Sequence, residues 1–397
     1  MPPLLANKPF ASAVGLRGFG ATALALTLLT GCSTHAQPKP DTAAVKQFAG
    51  RGYLADDQYG IATSFATWVI GQRNFDVALT VPAKPGLAPL VIYLPALGES
   101  RSAGEAWRTA WARSGYAVLS VQPLAEDARA WSSAAARSGD FVALARDRYA
   151  AKAMAARFDA LTEVLAEVAR RRQWQEAPFD RIDASHVAIA GFDLGAYTAM
   201  AVAGEKVGGS VMPKLPLPIV AVIALSPYAD FSGAAFDVRY TDIIGPVLCI
   251  TGDDDADALG LVTSPSVRKA PFQYMPAGDK FLLTMADIRH ATLSGGAIAG
   301  EAGDAGHDTA GQGDGASQGG GRRGHKGNRM GDDGATGRRV DIDGRASPTS
   351  LAMDVAAVQA VTTAFLDAYV RKDSIAREWL AKDASRWLED RGEIKRK

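Results

Sequence analysis

The sequence has no excess of charge of either sign. Its 397 residues contain 43 lysines and arginines against 43 aspartates and glutamates, so the formal net charge is zero. No basic stripe interleaved with aromatic residues is present, so the electrostatic surface that a nucleic-acid-binding protein needs is missing. We therefore exclude nucleic acid as a partner. With 47% hydrophobic residues, the chain is long enough to bury one large core.

The first 32 residues have the pattern of a targeting segment. Lys8 and Arg17 precede an apolar stretch from Gly20 to Leu29, which is too short to predict a membrane-spanning helix. The ending, Leu29-Thr-Gly-Cys, resembles the lipobox of bacterial lipoproteins, which implies cleavage before Cys32 and a lipid anchor on its thiol. By the same resemblance, Ser33 favours the outer membrane, facing the periplasm. The alternative is an ordinary secretory signal that is cut elsewhere.

Cysteine is scarce, with only two residues in the chain. If Cys32 carries lipid, Cys249 has no partner within the chain, and an intramolecular disulfide is excluded. Cys249 lies in the apolar run Pro246-Val-Leu-Cys-Ile-Thr, where a free thiol behaves as a small hydrophobic side chain.

The composition divides the chain into four parts. After the signal segment, residues 33–55 are polar and rich in alanine and proline, which predicts a tether. Residues 56–295 and 347–397 carry the apolar patterns of one folded domain. Residues 296–346 are rich in glycine with charges of both signs and no regular repeat, which predicts a disordered insertion.

Short apolar segments alternate with helical patterns in the domain. The predicted strands are Ser64–Ile70, Asn74–Val81, Pro89–Leu94, Ala117–Val121, Val187–Ala190, Ile219–Leu225 and Val247–Ile250, and helical patterns cover Glu105–Arg113, Glu126–Arg172 and Leu351 to about Tyr369, with more helix to Glu393. This alternation predicts an α/β fold with a doubly wound, mostly parallel sheet and helices on both faces. Ligands of such sheets bind beyond the carboxyl ends of the strands.

The segment VAIAGFDLGAYTAM, from Val187 to Met200, has the pattern of a strand that turns sharply into a helix. The Gly-x-x-x-Gly turn, formed by Gly191 and Gly195, exposes one side chain at the bend, which in hydrolases is usually serine. Here it is Asp193. The chain therefore either uses a carboxylate as the nucleophile or has no nucleophile at this position.

This elbow, with three other segments in order, resembles the α/β-hydrolase superfamily, and within it the branch of dienelactone hydrolases and platelet-activating-factor acetylhydrolase-like esterases. The other segments are PLVIYLPALGES (oxyanion loop), PVLCITGDDDAD (acid loop) and IRHAT (histidine loop). The resemblance covers roughly residues 57–295 and 351–380. It implies a hydrolase that needs no cofactor or metal and acts on a small-molecule substrate, with Leu97 and Leu194 as backbone donors to an oxyanion.

The resemblance also implies a triad of Asp193, His290 and Asp255, in the superfamily's chain order of nucleophile, acid and histidine. His290 is the one histidine of five at a plausible site. Asp257 and Asp230 remain alternatives for the acid.

An aspartate at the elbow changes the expected chemistry. It is anionic at neutral pH without a base, and its attack on a saturated carbon gives an alkyl ester that water, activated by histidine, hydrolyses. Superfamily members with this aspartate, the haloalkane dehalogenases and epoxide hydrolases, work in this way. Trp131 and Tyr149 in the 126–172 segment are possible substitutes for those enzymes' tryptophan and tyrosine. Two alternatives remain: an ester or lactone hydrolase, and a catalytically inactive binding protein.

Overall fold

The computed structural model describes residues 39–231, 234–256, 262, 264–296 and 346–397. The chain divides into two units, Met1–Pro38 and Lys39–Lys397, and only the second contains described residues. The signal segment, Cys32, Asp257 and residues 297–345 of the glycine-rich insertion lie outside the described residues. Their predicted roles stay predictions.

The described residues form one mixed sheet of nine strands, in the order β1-β2-β4-β3-β5-β6-β7-β8-β9. Strands β3 to β8 run parallel to one another, whereas β1, β2 and β9 pair antiparallel with their neighbours. The α/β class and the mostly parallel sheet are therefore confirmed. The strands are β1 Ile61–Ile70, β2 Arg73–Pro82, β3 Ala88–Leu94, β4 Ala117–Val121, β5 Ile182–Phe192, β6 Ile219–Leu225, β7 Val247–Asp254, β8 Lys280–Arg289 and β9 Gly392–Arg396.

Helices cover both faces of the sheet. The longest ones are α6 and α11, which pack on opposite faces. The helices are α1 Thr42–Gly50, α2 Glu105–Arg113, α3 Ala125–Ala128, α4 Ala134–Arg137, α5 Phe141–Tyr149, α6 Ala151–Gln173, α7 Leu194–Ala203, α8 Phe236–Arg239, α9 Ala270–Tyr274, α10 His290–Leu293, α11 Pro348–Tyr369, α12 Ser374–Lys382 and α13 Ala384–Leu388.

Strand β3 shows why the sheet is buried on both sides. Leu90, Ile92 and Leu94 belong to the core that α6 and α7 cover, whereas Val91 and Tyr93 belong to the core that α2 and α11 cover. Successive side chains of a strand point to opposite faces, so a strand between two helical layers must be continuously apolar. The PLVIYL run meets that demand.

The N-terminal part of the domain differs from the expected tether. Residues 33–55 were predicted to be a spacer, but Thr42–Gly50 forms α1, capped by the carboxylate of Asp41. Phe48 of this helix is buried and stacks on Trp387, with 4.7 Å between the ring centroids. Helix α1 packs on the core through the side chain of Phe48. The composition of this segment does not show such a contact.

The C-terminal part confirms the predicted helix and adds a strand. Helix α11 has 22 residues and a mean hydropathy of 1.3 over its most apolar window, which would suit a membrane span, but most of its side chains lie in the domain core. The predicted continuation of helix to Glu393 is correct for α12 and α13, and the chain then ends in the edge strand β9. The side chains of Glu393, Lys395 and Arg396 are exposed, so β9 lacks an apolar pattern that would predict it.

Candidate active site

The sharp turn between β5 and α7 holds Asp193 in a strained backbone conformation. Its φ is 52° and its ψ is −108°, outside the regions that residues other than glycine ordinarily adopt. The backbone is fixed on both sides, because the Asp193 N–H donates to the Leu225 carbonyl at 3.0 Å and the Asp193 carbonyl accepts from Tyr197 N–H at 2.9 Å. Strain of this kind concentrates at functional sites.

The two glycines of the motif make this turn possible. A Cβ on Gly195 would lie 1.9 Å from the Leu94 carbonyl oxygen, and one on Gly191 would lie 2.3 Å from the backbone of Gly195. All of these contacts are with backbone atoms, which cannot rotate away. The glycines are therefore required by the close approach of α7 to β3 and β5, and not by a left-handed conformation.

The acid predicted from the sequence, Asp255, lies directly after β7 and is fully buried. Its carboxylate accepts hydrogen bonds from Ser226 Oγ and Thr251 Oγ1, each at 2.8 Å. The Arg268 guanidinium lies 3.4 Å from Oδ2 and is equally buried. Burial opposes ionisation, but the hydrogen bond with His290, the charge of Arg268 and the other bonds outweigh it and lower the pKa of Asp255. This carboxylate is an anion at neutral pH.

His290 follows β8 as the first residue of α10. Its Nδ1 lies 2.7 Å from Asp255 Oδ1, and its ring contacts that of Phe192 with 4.7 Å between centroids. A carboxylate only accepts, so Nδ1 carries the proton and Nε2 is the ring nitrogen left for a reacting group. Burial lowers the pKa of His290, but the bond to Asp255 and the charges of Asp193 and Asp255 raise it by more, and the net shift is upward.

The chain just beyond His290 is anchored to α2. Trp107 donates its indole N–H to the Leu293 carbonyl at 3.0 Å, and Ala106 donates its backbone N–H to the Gly295 carbonyl at 3.0 Å. Gly295 has φ +65°, and a Cβ there would lie 2.3 Å from the Trp107 indole nitrogen. The end of α10 is therefore held in place before the chain reaches the glycine-rich insertion.

The predicted oxyanion donors are Leu97, in the loop after β3, and Leu194, at the start of α7. Leu97 and Leu194 are both buried and belong to one apolar cluster with Ala130. Leu194 is the first residue of α7, where a backbone N–H has no acceptor within the helix. Both residues thus come to the carboxyl edge of the sheet beside Asp193.

The oxyanion loop also carries a carboxyl group, that of Glu99, which the sequence analysis missed as a site residue. Glu99 is half-buried, and its Oε2 accepts a hydrogen bond from the Ala96 N–H at 2.9 Å. Burial raises its pKa most, the Asp193 charge raises it further, and the Ala96 bond and His290 lower it, for a net value of about 7. A glutamate close to the end of a buried strand was the sequence signal for this group.

Ser226, at the end of β6, is a further missed residue. Its φ is +54°, and its hydroxyl lies 2.8 Å from Asp255 Oδ1 and 2.9 Å from His290 Nδ1. The hydroxyl therefore links the carboxylate of Asp255 to the imidazole of His290. A serine-proline pair directly after an apolar strand was the only sequence signal for it.

Asp230 and Tyr149 line another cavity, whereas Trp131 lies at the oxyanion loop. Asp230 accepts from Arg239 Nη1 at 2.9 Å, beside buried Glu205, so it belongs to a different ion-pair group from that of His290. Trp131 lies against Gly98 of the oxyanion loop and is 46% exposed. Tyr149 is buried among tyrosines at the end of α5, lining a cavity of about 200 Å³ with Arg239.

Comparison with known proteins adds no family. No protein-family model matches this chain, and no curated protein has a significantly similar sequence. Among the described residues, no group of three or more histidine, cysteine or acidic side chains is placed to hold a metal ion. The candidate site residues lie at the carboxyl ends of β3, β5, β6, β7 and β8.

Proposed function

We propose that the chain is an α/β-hydrolase that hydrolyses a small organic electrophile through an alkyl-enzyme ester on Asp193. One observation carries the proposal: Asp193 occupies a strained elbow, and its charge acts on His290, which is hydrogen-bonded to Asp255. The elbow after β5, the acid after β7 and the histidine after β8 support assignment to the α/β-hydrolase fold.

In the first step, an oxygen of Asp193 attacks a saturated carbon. A bond forms between that oxygen and carbon, and the bond from carbon to the leaving group breaks with its electron pair on the leaving atom. No base is needed, because the carboxylate already carries the electron pair. The product is an ordinary alkyl ester on the enzyme.

In the second step, water hydrolyses the ester. His290 Nε2 takes a proton from water, and the hydroxide attacks the Asp193 carboxyl carbon. Asp255 stabilises the imidazolium that forms, and Ser226 keeps the ring in place. The expelled alkoxide takes the proton from His290, and the carboxyl group of Asp193 then loses its own proton. One oxygen of the carboxylate is exchanged in every turnover.

A carboxylic ester fits this site less well. Attack by Asp193 on an acyl carbon would give a mixed anhydride, which is little easier to form than the ester was to break. A purely binding role leaves the strained backbone of Asp193, which costs about 1–3 kcal/mol, without a purpose.

The cellular setting of the proposal comes from the N-terminal motif. A lipid on Cys32 would anchor the enzyme to the bacterial envelope, on the periplasmic side of the outer membrane. The proposed partners are thus a lipid membrane and a small-molecule substrate.

The test is to trap the ester. The full chain carrying His290→Gln, kept in mild detergent, is mixed with a panel of epoxides and haloalkanes, and the intact protein and its Asp193 peptide are weighed. His186→Gln is the matched control, because His186 lies on β5 and bonds only to Ser185 among the described residues. We expect a stable mass gain on Asp193 in His290→Gln, and turnover without accumulation in the control.

Other results separate the alternatives. Steady hydrolysis of short acyl esters that His290→Gln abolishes, with no adduct, would support the ester or lactone hydrolase. Thermal stabilisation by the panel with neither adduct nor turnover would support a binding protein.

A further inference from the structure

The carboxyl group of Glu99 is held so that one oxygen is engaged and the other is open. Oε2 accepts from the Ala96 N–H at 2.9 Å, and among the described residues no hydrogen bond is made by Oε1. The turn itself is fixed by Gln122, whose amide donates to the Ala96 carbonyl at 2.9 Å and to the Glu99 carbonyl at 3.3 Å. The loop thus presents one carboxyl oxygen in a fixed position.

The charged groups that act on Glu99 are Asp193 and His290. Both belong to the proposed reaction centre, so Glu99 lies within electrostatic reach of the point where Asp193 would attack. Burial and the Asp193 anion raise the pKa of Glu99 to about 7, so a large share of the molecules carry its proton at neutral pH. Two neighbouring carboxyl groups that share a site ionise one after the other.

We propose that Glu99 is the acid that protonates the leaving oxygen when Asp193 attacks its substrate, an inference that rests on the function proposed above. The favoured substrate is an epoxide, a cyclic ether whose opening creates an alkoxide on the substrate itself. Glu99 thereby does the work that the sequence had suggested for Tyr149, which lies buried in the tyrosine cluster.

The step balances without a further reactant. The oxygen of Asp193 bonds to an epoxide carbon, the carbon–oxygen bond of the ring breaks, and the ring oxygen takes the proton of Glu99. After water has hydrolysed the ester, the carboxyl group of Asp193 holds the surplus proton and returns it to Glu99. The sum is epoxide plus water giving a diol.

The same geometry disfavours a halide as leaving group. A halide departs as a stable anion that needs N–H donors and no proton. Here it would depart beside the carboxyl group of Glu99, which repels it when ionised. Trp131, the candidate indole donor for a halide, lies against Gly98 and is nearly half exposed.

The experiment compares two electrophiles on the same nucleophile. In the full chain with His290→Gln, the rate of Asp193 alkylation is measured by mass spectrometry with a terminal epoxide and with a primary alkyl iodide of equal carbon number. Glu99→Gln is then added, because glutamine keeps the size and the acceptor for Ala96 but has no acidic proton. Glu105→Gln, at the exposed first turn of α2, is the control.

We expect Glu99→Gln to lower the ratio of epoxide to iodide alkylation rates by about a hundredfold or more, the range of general acid catalysis. Because the charge of His290 lowers the pKa of Glu99, the His290→Gln protein should hold the Glu99 proton to a pH above about 7. Its epoxide rate should fall at higher pH, and this fall should vanish with Glu99→Gln. Glu105→Gln should change neither.

Two results would overturn the inference and leave the proposed function intact. In one, Glu99→Gln lowers both rates equally, which means a structural role; in the other, it changes neither. If neither electrophile alkylates Asp193 in the His290→Gln chain, the proposed function fails, and the role of Glu99 fails with it.

Discussion

Asp255→Asn is expected to destabilise the domain far more than Asp253→Asn in the same loop. The charge of Asp255 is fully buried and faces the equally buried guanidinium of Arg268 at 3.4 Å. Removing one member of a buried ion pair typically costs about 3–5 kcal/mol, because the other charge is left without a partner. The amide nitrogen of an asparagine would also face groups that donate to the carboxylate now. Depending on its orientation, these are Thr251 Oγ1 and Arg268, or the imidazole of His290.

The matched control is Asp253→Asn in the same loop. The carboxylate of Asp253 is 63% exposed and pairs with Lys269 at 3.2 Å, so its removal should change the free energy of unfolding by no more than about 0.5 kcal/mol. Urea unfolding of both variants and the parent, followed by tryptophan fluorescence, gives the comparison. The reasoning about Asp255 is refuted if the two variants lose the same free energy at an unchanged denaturant slope.

Three further outcomes are expected. Gly195→Ala should lower the melting temperature and abolish alkylation of Asp193, because its Cβ would lie 1.9 Å from a carbonyl oxygen. Gly245→Ala, with open space around its Cβ, should do neither. A wild-type melting temperature for Gly195→Ala would contradict this expectation. His290 has a folded pKa above its unfolded value, so its stabilisation is complete below about pH 6.5 and declines as the pH rises through the folded pKa. The loss of unfolding free energy in His290→Gln should accordingly shrink between pH 6 and 9, and a loss that grows would show the opposite sign. Cys249 is fully buried, and burial raises the pKa of its thiol to about 12, so iodoacetamide should alkylate it only in denaturant; rapid alkylation in buffer would show that the β7 core opens.

The sequence is informative wherever burial imposes a simple pattern. The predicted bounds of β4, β6 and α2 agree with the structure, because each element is short and is flanked by clear breaks in polarity. Strand β8 was missed although its first half is apolar, since its second half carries polar residues up to Arg289. Helix α1 depends on the tertiary contact of Phe48, which no local pattern shows.

The same distinction holds for the site. Asp193, Asp255 and His290 are predicted from their order after successive strands, as the resemblance implies, and the structure brings His290 and Asp255 into contact. Ser226 contacts Asp255 and His290, which belong to two other loops, at 2.8 and 2.9 Å. The pKa of Glu99 depends on the charges of Asp193 and His290, and one-dimensional patterns show neither relation. Electrostatic neighbourhoods are a property of the folded chain alone.

The anchoring of the segment after α10 has a consequence for protein engineering. The Leu293 and Gly295 carbonyls accept hydrogen bonds from α2. A force on the chain beyond Gly296 therefore acts on α2 before it acts on His290. The entropic cost of a closed loop rises by only about 0.6 kcal/mol for each doubling of its length. A reporter or a second protein module could therefore be inserted between residues 296 and 346. The imidazole of His290, a few residues away, would keep its position.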